Sequence, residues 1–349
     1  MPKFVLFSAL ASASAFALAL SAGACTQTQL LEGPGNFGSD GGSDGLSPSD
    51  GGPREPELLA KGIMGGFDIV VDGTYVYIAA MDSRSAFAVP KAGGDPIVLG
   101  RHTSSVLGIT VDANRVYWGV AGGNNPDTAP GLIVSTALGN LGGEPEVFKT
   151  SSKFAPFSPW SLANDEARIY CGGSQGVFAA DKASKAESAL GGGQIPTPLV
   201  LTSEHVYWVS RMDGVVMAAP KNGGPSRTIA TGPADQSISA VTADEERVYW
   251  LESDGTRGRV FSIPAAGGKR TELAVNGQAG YGMAIDAKYI YWTVLAGGSL
   301  NRVPKGGGPA EILAVNIVGT SLKGGAVATD EAYVYWTNGD GNVFRLRKD

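Results

Sequence analysis

The pattern of hydrophobic and polar positions repeats seven times along the chain, and its strongest mark is a short aromatic segment. Five copies are nearly identical: Val116-Tyr117-Trp118, Val206-Tyr207-Trp208, Val248-Tyr249-Trp250, Ile290-Tyr291-Trp292 and Val334-Tyr335-Trp336. Two copies are degenerate, Val76-Tyr77-Ile78 and Ile169-Tyr170-Cys171. Successive tyrosines are 37 to 53 residues apart, and most steps fall near 40 residues. A period of about 40–45 residues predicts one small β-sheet per copy.

Two other marks keep register with this aromatic anchor. An aspartate stands five residues before the anchor tyrosine in six copies, and the fourth copy has Thr202 instead. After the anchor, four copies carry a Pro-x-x-Gly-Gly segment, as at residues 304–308. Asp, Gly and Pro predict tight turns at these points, with each aspartate capping its own backbone in an Asx-turn. We therefore interpret the repeated aspartates as turn residues and not as a ring of ligands.

Each copy is predicted to form four short strands. In the sixth copy these are residues 282–285, the anchor strand, 300–303 and 310–314. The anchor strand is apolar on both faces, which is typical of a sheet that neighbours cover on both sides. The sequence therefore predicts an all-β protein, a seven-bladed β-propeller spanning residues 55–349.

The predicted ring is one strand short at its C-terminal end. The seventh copy supplies three strands, at residues 325–328, 333–337 and 342–346. Residues 56–62 resemble the fourth strand of the sixth copy and stand before the first copy. An open ring would expose unpaired strand edges. We therefore expect this N-terminal segment to pair beside residues 342–346 and to complete the last blade.

The repeat resembles those of two groups of known propellers. Tyr335-Trp336-Thr337-Asn338 resembles the Tyr-Trp-Thr-Asp repeat of receptor-type propellers, although the final Asp is missing and the receptor type has six blades. The Tyr-Trp pair followed by Pro-x-x-Gly-Gly is more similar to secreted bacterial propellers, many of which are lipoproteins. The resemblance implies the fold and a secreted lipoprotein. It implies no receptor partner, because fold does not imply function.

The N-terminal 54 residues predict export and anchoring. In residues 1–24, Lys3 precedes an apolar run, and Ala22-Gly23-Ala24 stand before Cys25, as in a signal peptide. The segment resembles a lipobox with Ala22 in place of the usual Leu, so we expect a lipid on Cys25 that binds the membrane. Ordinary cleavage after an Ala-x-Ala site is the alternative. Residues 25–54 are rich in Gly, Ser and Asp and predict a disordered tether. The expected location is the cell envelope, at the outer membrane.

Composition narrows the function classes. The chain has 349 residues, a net charge of −6 and no basic cluster, which argues against nucleic acid as a partner. The 51 glycines and the 17% of charged residues fit a turn-rich β protein. Cys171 stands where other copies have tryptophan, so we expect a buried, unreactive thiol. We expect the propeller to be monomeric.

Residue types that carry catalysis are scarce. The two histidines are His102, in a connection between blades, and His205, directly before an anchor. No Ser-His-Asp set or Cys/His metal cluster can be assembled, and no glycine-rich segment opens a helix as a phosphate loop would. The sequence therefore assigns no catalytic residue, no metal ligand and no cofactor.

Ligand binding is expected where the copies differ. Loops from second to third strands and crossings between blades emerge on one end of the ring, and loops on a rigid scaffold commonly bind. Aromatic residues and arginine are enriched in binding hot spots. The candidates are Trp160, Phe154, Phe157, His102, Arg211, Glu252 and Tyr281. The favoured hypothesis is an envelope-anchored, non-enzymatic binding or scaffolding module for a protein or glycan ligand. The alternative is a lyase or hydrolase that uses loops around the central channel.

Overall fold

The seven aromatic copies fold into seven four-stranded antiparallel sheets that form a ring of blades. The computed structural model describes residues 52–123, 130–151, 159–174, 176–233, 237–254, 257–276, 280–294, 298–317 and 326–349. Across these ranges the secondary structure consists of 28 strands and one 3-10 turn at Leu138–Asn140, with no α-helix. That part of the chain holds no helix with the length and apolar character of a membrane span. The predicted all-β, seven-bladed β-propeller is confirmed.

The first four blades follow the order of the chain. Blade 1 consists of β2 (Gly66–Val71), β3 (Tyr75–Ala80), β4 (Ser85–Pro90) and β5 (Ile97–Arg101). Blade 2 consists of β6 (Val106–Val111), β7 (Arg115–Val120), β8 (Gly131–Ala137) and β9 (Glu146–Ser151). Blade 3 consists of β10 (Ser161–Asn164), β11 (Arg168–Gly173), β12 (Gly176–Asp181) and β13 (Glu187–Gly191). Blade 4 consists of β14 (Pro196–Leu201), β15 (His205–Ser210), β16 (Val215–Pro220) and β17 (Arg227–Thr231).

The last three blades include the one that combines both ends of the chain. Blade 5 consists of β18 (Ser237–Ala243), β19 (Arg247–Ser253), β20 (Gly258–Pro264) and β21 (Thr271–Asn276). Blade 6 consists of β22 (Gly280–Ile285), β23 (Tyr289–Val294), β24 (Ser299–Pro304) and β25 (Glu311–Val315). Blade 7 consists of β26 (Val327–Thr329), β27 (Tyr333–Thr337), β28 (Val343–Arg347) and β1 (Glu57–Ala60).

The first strands of the blades surround a central channel. Each contacts the first strands of both neighbouring blades, and β26 contacts β2, so the ring is closed. Because antiparallel strands reverse direction at every connection, the connections alternate between the two ends of the channel. We call the end that carries the first-to-second and third-to-fourth strand turns, such as residues 286–289, the turn face. The end that carries the second-to-third strand loops, such as residues 211–214, and the crossings between blades is the loop face.

The N-terminal strand closes the ring as predicted. β1 pairs antiparallel with β28, and Leu58 lies opposite Phe344. Arg345 Nε and Nη2 donate to the two carboxylate oxygens of Glu57 at 2.8 and 2.7 Å. The strand is shorter than the predicted 56–62. The last blade's first strand begins at Val327, and Gly325 of its predicted range lies outside the described residues.

The anchor residues form the interfaces between blades. The tyrosine of one blade packs in the same buried cluster as the tryptophan of the next, as Tyr249 does with Trp292. All five anchor tryptophans are fully buried. One sheet face of each anchor strand therefore packs on the preceding blade and the other on the following blade, which explains why both faces are apolar.

Cys171 occupies the tryptophan position at the joint between blades 2 and 3. It is 1% exposed and packs near Tyr117. The Phe148 ring lies edge-on to Tyr117, with centroids 5.3 Å apart, and packs against the same cluster. Burial raises the pKa of the Cys171 thiol. The prediction of a buried thiol is confirmed.

The repeated aspartates form the predicted Asx-turns and also join neighbouring blades. Asp286 Oδ1 accepts hydrogen bonds from the backbone N–H groups of Lys288 and Tyr289 at 2.7 and 2.8 Å. Its Oδ2 accepts from the Tyr291 hydroxyl at 2.8 Å and from Lys348 Nζ of the next blade at 2.7 Å. Burial alone would raise the pKa of Asp286, but these donors outweigh it and lower the pKa to about 2.

The lysine–aspartate bridge recurs at five joints between described blades. The bridges are 2.6–2.8 Å long and comprise Lys91–Asp330, Lys182–Asp112, Lys221–Asp165, Lys305–Asp244 and Lys348–Asp286. Between blades 4 and 5 both members are replaced, by Thr202 and Ala265. Between blades 1 and 2, Leu138 replaces the lysine that would face Asp72. The lysine directly follows the third strand, a recurrence that was not predicted from the sequence.

Candidate functional site

The structure places the five described candidates on the loop face and separates them into two groups. Trp160, Arg211 and Tyr281 lie at the loop-face end of the central channel. His102 and Glu252 lie further out, against anchor tryptophans. The candidates Phe154 and Phe157 are outside the described residues, as is the lipidation candidate Cys25.

His102 and Glu252 bind indole N–H groups. His102 Nε2 accepts a hydrogen bond from Trp118 Nε1 at 2.9 Å, so the neutral ring carries its proton on Nδ1. Burial lowers the pKa of His102. Glu252 is completely buried, and its Oε1 accepts from Trp250 Nε1 at 2.8 Å and Arg270 Nη1 at 2.9 Å. These contacts fasten the loop-face ends of two blades and give both residues a structural role.

An aromatic group lies at the loop-face end of the channel. Phe67, Trp160 and Tyr281 stand at the same position of the repeat, ten residues before the anchor tyrosine, in copies 1, 3 and 6. The Phe67 and Trp160 ring centroids are 6.3 Å apart. Each of the three is partly exposed, and the buried Trp160 Nε1 atom has no hydrogen-bond partner among the described residues. The group offers apolar rings and one free donor at a single place.

Arg211 extends from the end of β15 into the same region. Its guanidinium carbon lies 5.7 Å from the Tyr281 ring centroid, and its Nη2 donates to the Ser239 carbonyl at 2.9 Å. Its Nε is buried and has no partner in the part of the chain that the structure describes. Burial lowers the pKa of Arg211. The site therefore contains a largely desolvated cation.

Asp68 supplies a carboxylate to the channel wall from blade 1. Its Oδ1 accepts from its neighbour Ile69 N at 2.9 Å, and its Oδ2 accepts from Ile109 N of the next blade at 3.0 Å. Burial raises the pKa of Asp68 to about 7, although these two amide donors act in the opposite direction. Asp68 and Arg211, both described, make no ion pair with each other and line one cavity of about 80 Å³.

Asp68 is an exception within a ring of small residues. The equivalent position, nine residues before the anchor tyrosine, holds Gly108, Ser161, Pro198, Ala240, Gly282 and Ala326 in the other copies. The inner strands approach closely here, because a Cβ on Gly108 would lie 2.7 Å from Leu162 N. Ser161 Oγ accepts from Leu199 N of the next blade at 2.9 Å, which is the neutral counterpart of the bond from Ile109 N to Asp68.

A larger cavity of about 780 Å³ lies on the turn face between blades 6 and 7. Its main charges already pair with acidic groups or carbonyls. Lys348 bridges to Asp286, and Arg302 binds Glu311 at 2.7 Å. Within the described ranges, no group of three or more His, Cys, Asp and Glu side chains is placed to hold a metal ion. The channel end on the loop face is therefore the better candidate site, because it contains buried polar atoms that have no partner in the described part of the chain.

Comparison with known proteins supports the fold and goes no further. No protein-family model matches the chain, and no curated protein matches it in sequence. A catalytically inactive virginiamycin B lyase from Staphylococcus aureus, solved with quinupristin, is 13% identical at a TM-score of 0.68, covering 84% of this chain and 99% of that chain. A streptogramin B lyase is 10% identical at a TM-score of 0.67, with 84% and 97% covered. The WD40 propeller domain of Doa1 is 12% identical at 0.65, with the same coverage. These are likenesses of fold alone.

Three of the predicted ligand-binding candidates, Trp160, Arg211 and Tyr281, lie at the channel end, together with Phe67 and Asp68, which were not predicted. Phe67 shares its repeat position with Trp160 and Tyr281. This shared position was a signal that could have identified it. Asp68 was not predicted either. The available signal was a charged residue at a position where the other six copies have small residues. Glu252 was expected on the open face, and the backbone path instead buries it completely.

Proposed function

We propose that this protein is a non-enzymatic binding or scaffolding module of the cell envelope. In this proposal residues 1–24 direct export, Cys25 carries a lipid at the outer membrane, and residues 25–54 form the tether. The propeller presents its loop face to a protein or glycan ligand. The observation that carries the proposal is the channel site, where Arg211 and Trp160 have buried donors without a partner among the described residues, beside two further aromatic rings.

The point at which the chain enters the propeller leaves the loop face uncovered by the described N-terminal residues. Arg54 N donates to the Leu313 carbonyl at 2.8 Å, and Arg54 Nη1 donates to the Asp349 carbonyl at 2.7 Å. Asp349 follows β28 on the turn face, and β1 runs from that face toward the loop face. The chain therefore enters the propeller at the turn face, the end opposite the channel site.

Anchoring is tested by replacing the proposed lipid acceptor. The wild-type chain should be found in the membrane fraction and incorporate a labelled fatty acid, whereas Cys25→Ser should be unlabelled and released on osmotic shock. A wild-type chain that is exported but never labelled would assign Cys25 to ordinary signal cleavage.

Binding is tested by affinity capture from envelope extracts. Wild-type protein and a turn-face control, Glu331→Gln, should retain a specific partner that Trp160→Ala and Phe67→Ala lose. Glu331 is exposed on the turn face, so its replacement is a single substitution away from the channel site. Capture that is equal for all four proteins, or no capture at all, would contradict the loop-face proposal.

A propeller enzyme is the second candidate, and Asp68 is the observation that favours it. A carboxyl with a pKa of about 7 in a cleft can give and take a proton near neutral pH. Two of the proteins of similar fold are lyases. Incubation with virginiamycin B and a panel of cyclic peptides and glycans is the test. Turnover by wild type that disappears in Asp68→Asn would replace the binding proposal.

A further inference from the structure

The chemistry of the channel site is more specific than a general binding face. Arginine has five N–H donors and a permanent charge. Of the donors of Arg211, one binds the Ser239 carbonyl and the buried Nε has no partner among the described residues. Arg211 is partly exposed, and the carbonyl that it binds does not neutralise its charge. The guanidinium can therefore still bind an anion that enters the channel end.

The repeat does not require this arginine. The residue four positions after the anchor tyrosine is Met81, Ala121, Ser174, Ser253, Leu295 or Gly339 in the other copies. The Tyr281 ring, 5.7 Å from the guanidinium carbon, contributes to its orientation. Neither residue is part of the lysine–aspartate bridges that join the blades. Arg211 therefore has no structural counterpart elsewhere in the ring.

The size and the opposite wall of the cavity restrict the ligand. About 80 Å³ is far below the roughly 300–1,000 Å³ of a pocket for a whole small molecule, so the cavity accommodates an end group. Asp68 faces this space with two carboxylate oxygens, each of which has accepted one backbone N–H. A carboxylate has about four acceptor sites, so Asp68 can still accept an N–H from a ligand.

We propose that the channel end binds the C-terminal carboxylate of a peptide chain, with Arg211 holding the carboxylate and Asp68 accepting a backbone N–H of the same chain end. The Phe67–Trp160 pair then contacts the terminal side chain. Free amino acids also carry a carboxylate and an N–H donor, but they would contact less of the site than a peptide. A sugar acid such as glucuronate also carries a carboxylate, but it has no backbone N–H to donate to Asp68. This inference rests on the proposed binding function and names the ligand class for the same site.

Calorimetry and ligand-observed NMR with the full-length exported protein test the proposal. The probes are N-acetyl-alanyl-alanine, its C-terminal amide, free alanine and glucuronate. The free acid should bind at least about tenfold more tightly than the amide, because a charge-assisted hydrogen bond is lost in the amide. Arg211→Gln should abolish this preference, and Arg211→Lys should keep part of it, since lysine retains the charge without the planar fork.

The matched control is Arg101→Gln, an exposed arginine at the loop-face end of β5, which should leave the preference unchanged. Equal binding of acid and amide, a preference that survives Arg211→Gln, or no binding of the acid up to about 20 mM would overturn the proposal. Glucuronate binding without peptide binding would assign the site to sugar acids and overturn it as well. If Arg211→Gln fails to fold, the acid–amide contrast in wild type decides.

The two levels of the proposal can fail separately. An envelope partner that wild type and Arg211→Gln capture equally would leave the binding function standing and remove the carboxylate inference. Acid-selective peptide binding without any captured envelope partner would support the carboxylate inference and contradict the proposal of an envelope protein or glycan ligand.

Discussion

Replacement of Asp68 by asparagine should change the pH dependence of stability with a defined sign. The pKa of Asp68 is raised from 3.8 to about 7 in the folded state, chiefly by burial. A raised folded pKa means that the stabilising contribution is complete below pH 3.8 and is lost as the pH rises through about 7. Asp68→Asn removes this titration, so the variant should gain stability relative to wild type over that interval.

The magnitude follows from the pKa difference and the two hydrogen bonds. A difference of about three pH units corresponds to an upper limit of about 4 kcal/mol. Because the side chain is partly exposed to the channel, solvent screening reduces the expected change to about 2 kcal/mol. Asparagine keeps one acceptor oxygen, so one bond, from Ile69 N or Ile109 N, is lost at a cost of about 1 kcal/mol. The variant should be about 1 kcal/mol less stable at pH 4 and about 1 kcal/mol more stable at pH 8.

Urea denaturation followed by tryptophan fluorescence, at half-unit steps from about pH 4 to pH 8, measures this difference. Asp95→Asn is the matched control, because Asp95 is exposed and should give a difference that does not vary with pH. The reasoning is refuted if the difference between wild type and Asp68→Asn is constant over this range, or if the variant becomes relatively less stable as the pH rises.

Three further predictions concern the ring itself. Lys348→Met should lower the free energy of unfolding by about 1–2 kcal/mol, because it removes a partly buried bridge between blades 6 and 7. The control Lys288→Met replaces an exposed lysine and should be nearly neutral. Equal losses of stability in the two variants would contradict the contribution of the bridge. Leu59→Asp in the closing strand should cost about 2–4 kcal/mol and promote aggregation in light scattering, since Leu59 is 7% exposed; a stable monomer would argue against closure by this strand. In a Cys25→Ser background, Cys171 should react with a thiol reagent only after unfolding, and a fast native reaction would contradict its burial.

The fold was predictable because each blade is built from the same short sequence pattern, which forms the same strands and turns each time. Each Tyr-Trp strand is apolar on both sides, and each Asp turn is a local structure within four residues, as the bonds from Lys288 N and Tyr289 N to Asp286 show. The need for an N-terminal fourth strand in blade 7 followed from counting the three strands of the last copy. Pairing of β1 with β28 confirmed that count, although β1 is shorter than predicted.

The bridges between blades were not predictable from local pattern. Lys91 and Asp330 are far apart in the chain and meet only because the ring closes, and the other bridges also join residues of different copies. The position of Glu252 was misjudged for a related reason. A charged residue near the end of a strand is usually solvated, but here Trp250 and Arg270 enclose it.

The sequence by itself determined the number of blades, the turns and the strand that closes the ring, because these depend on short-range periodicity and on the need to pair every strand edge. Only the tertiary structure decided which residues form the site. Phe67 and Asp68, which are adjacent in β2, meet Trp160, Arg211 and Tyr281 from three other segments. They meet because the first strands of all blades converge on one axis, where small residues allow close approach and a few larger or charged ones define the cavity.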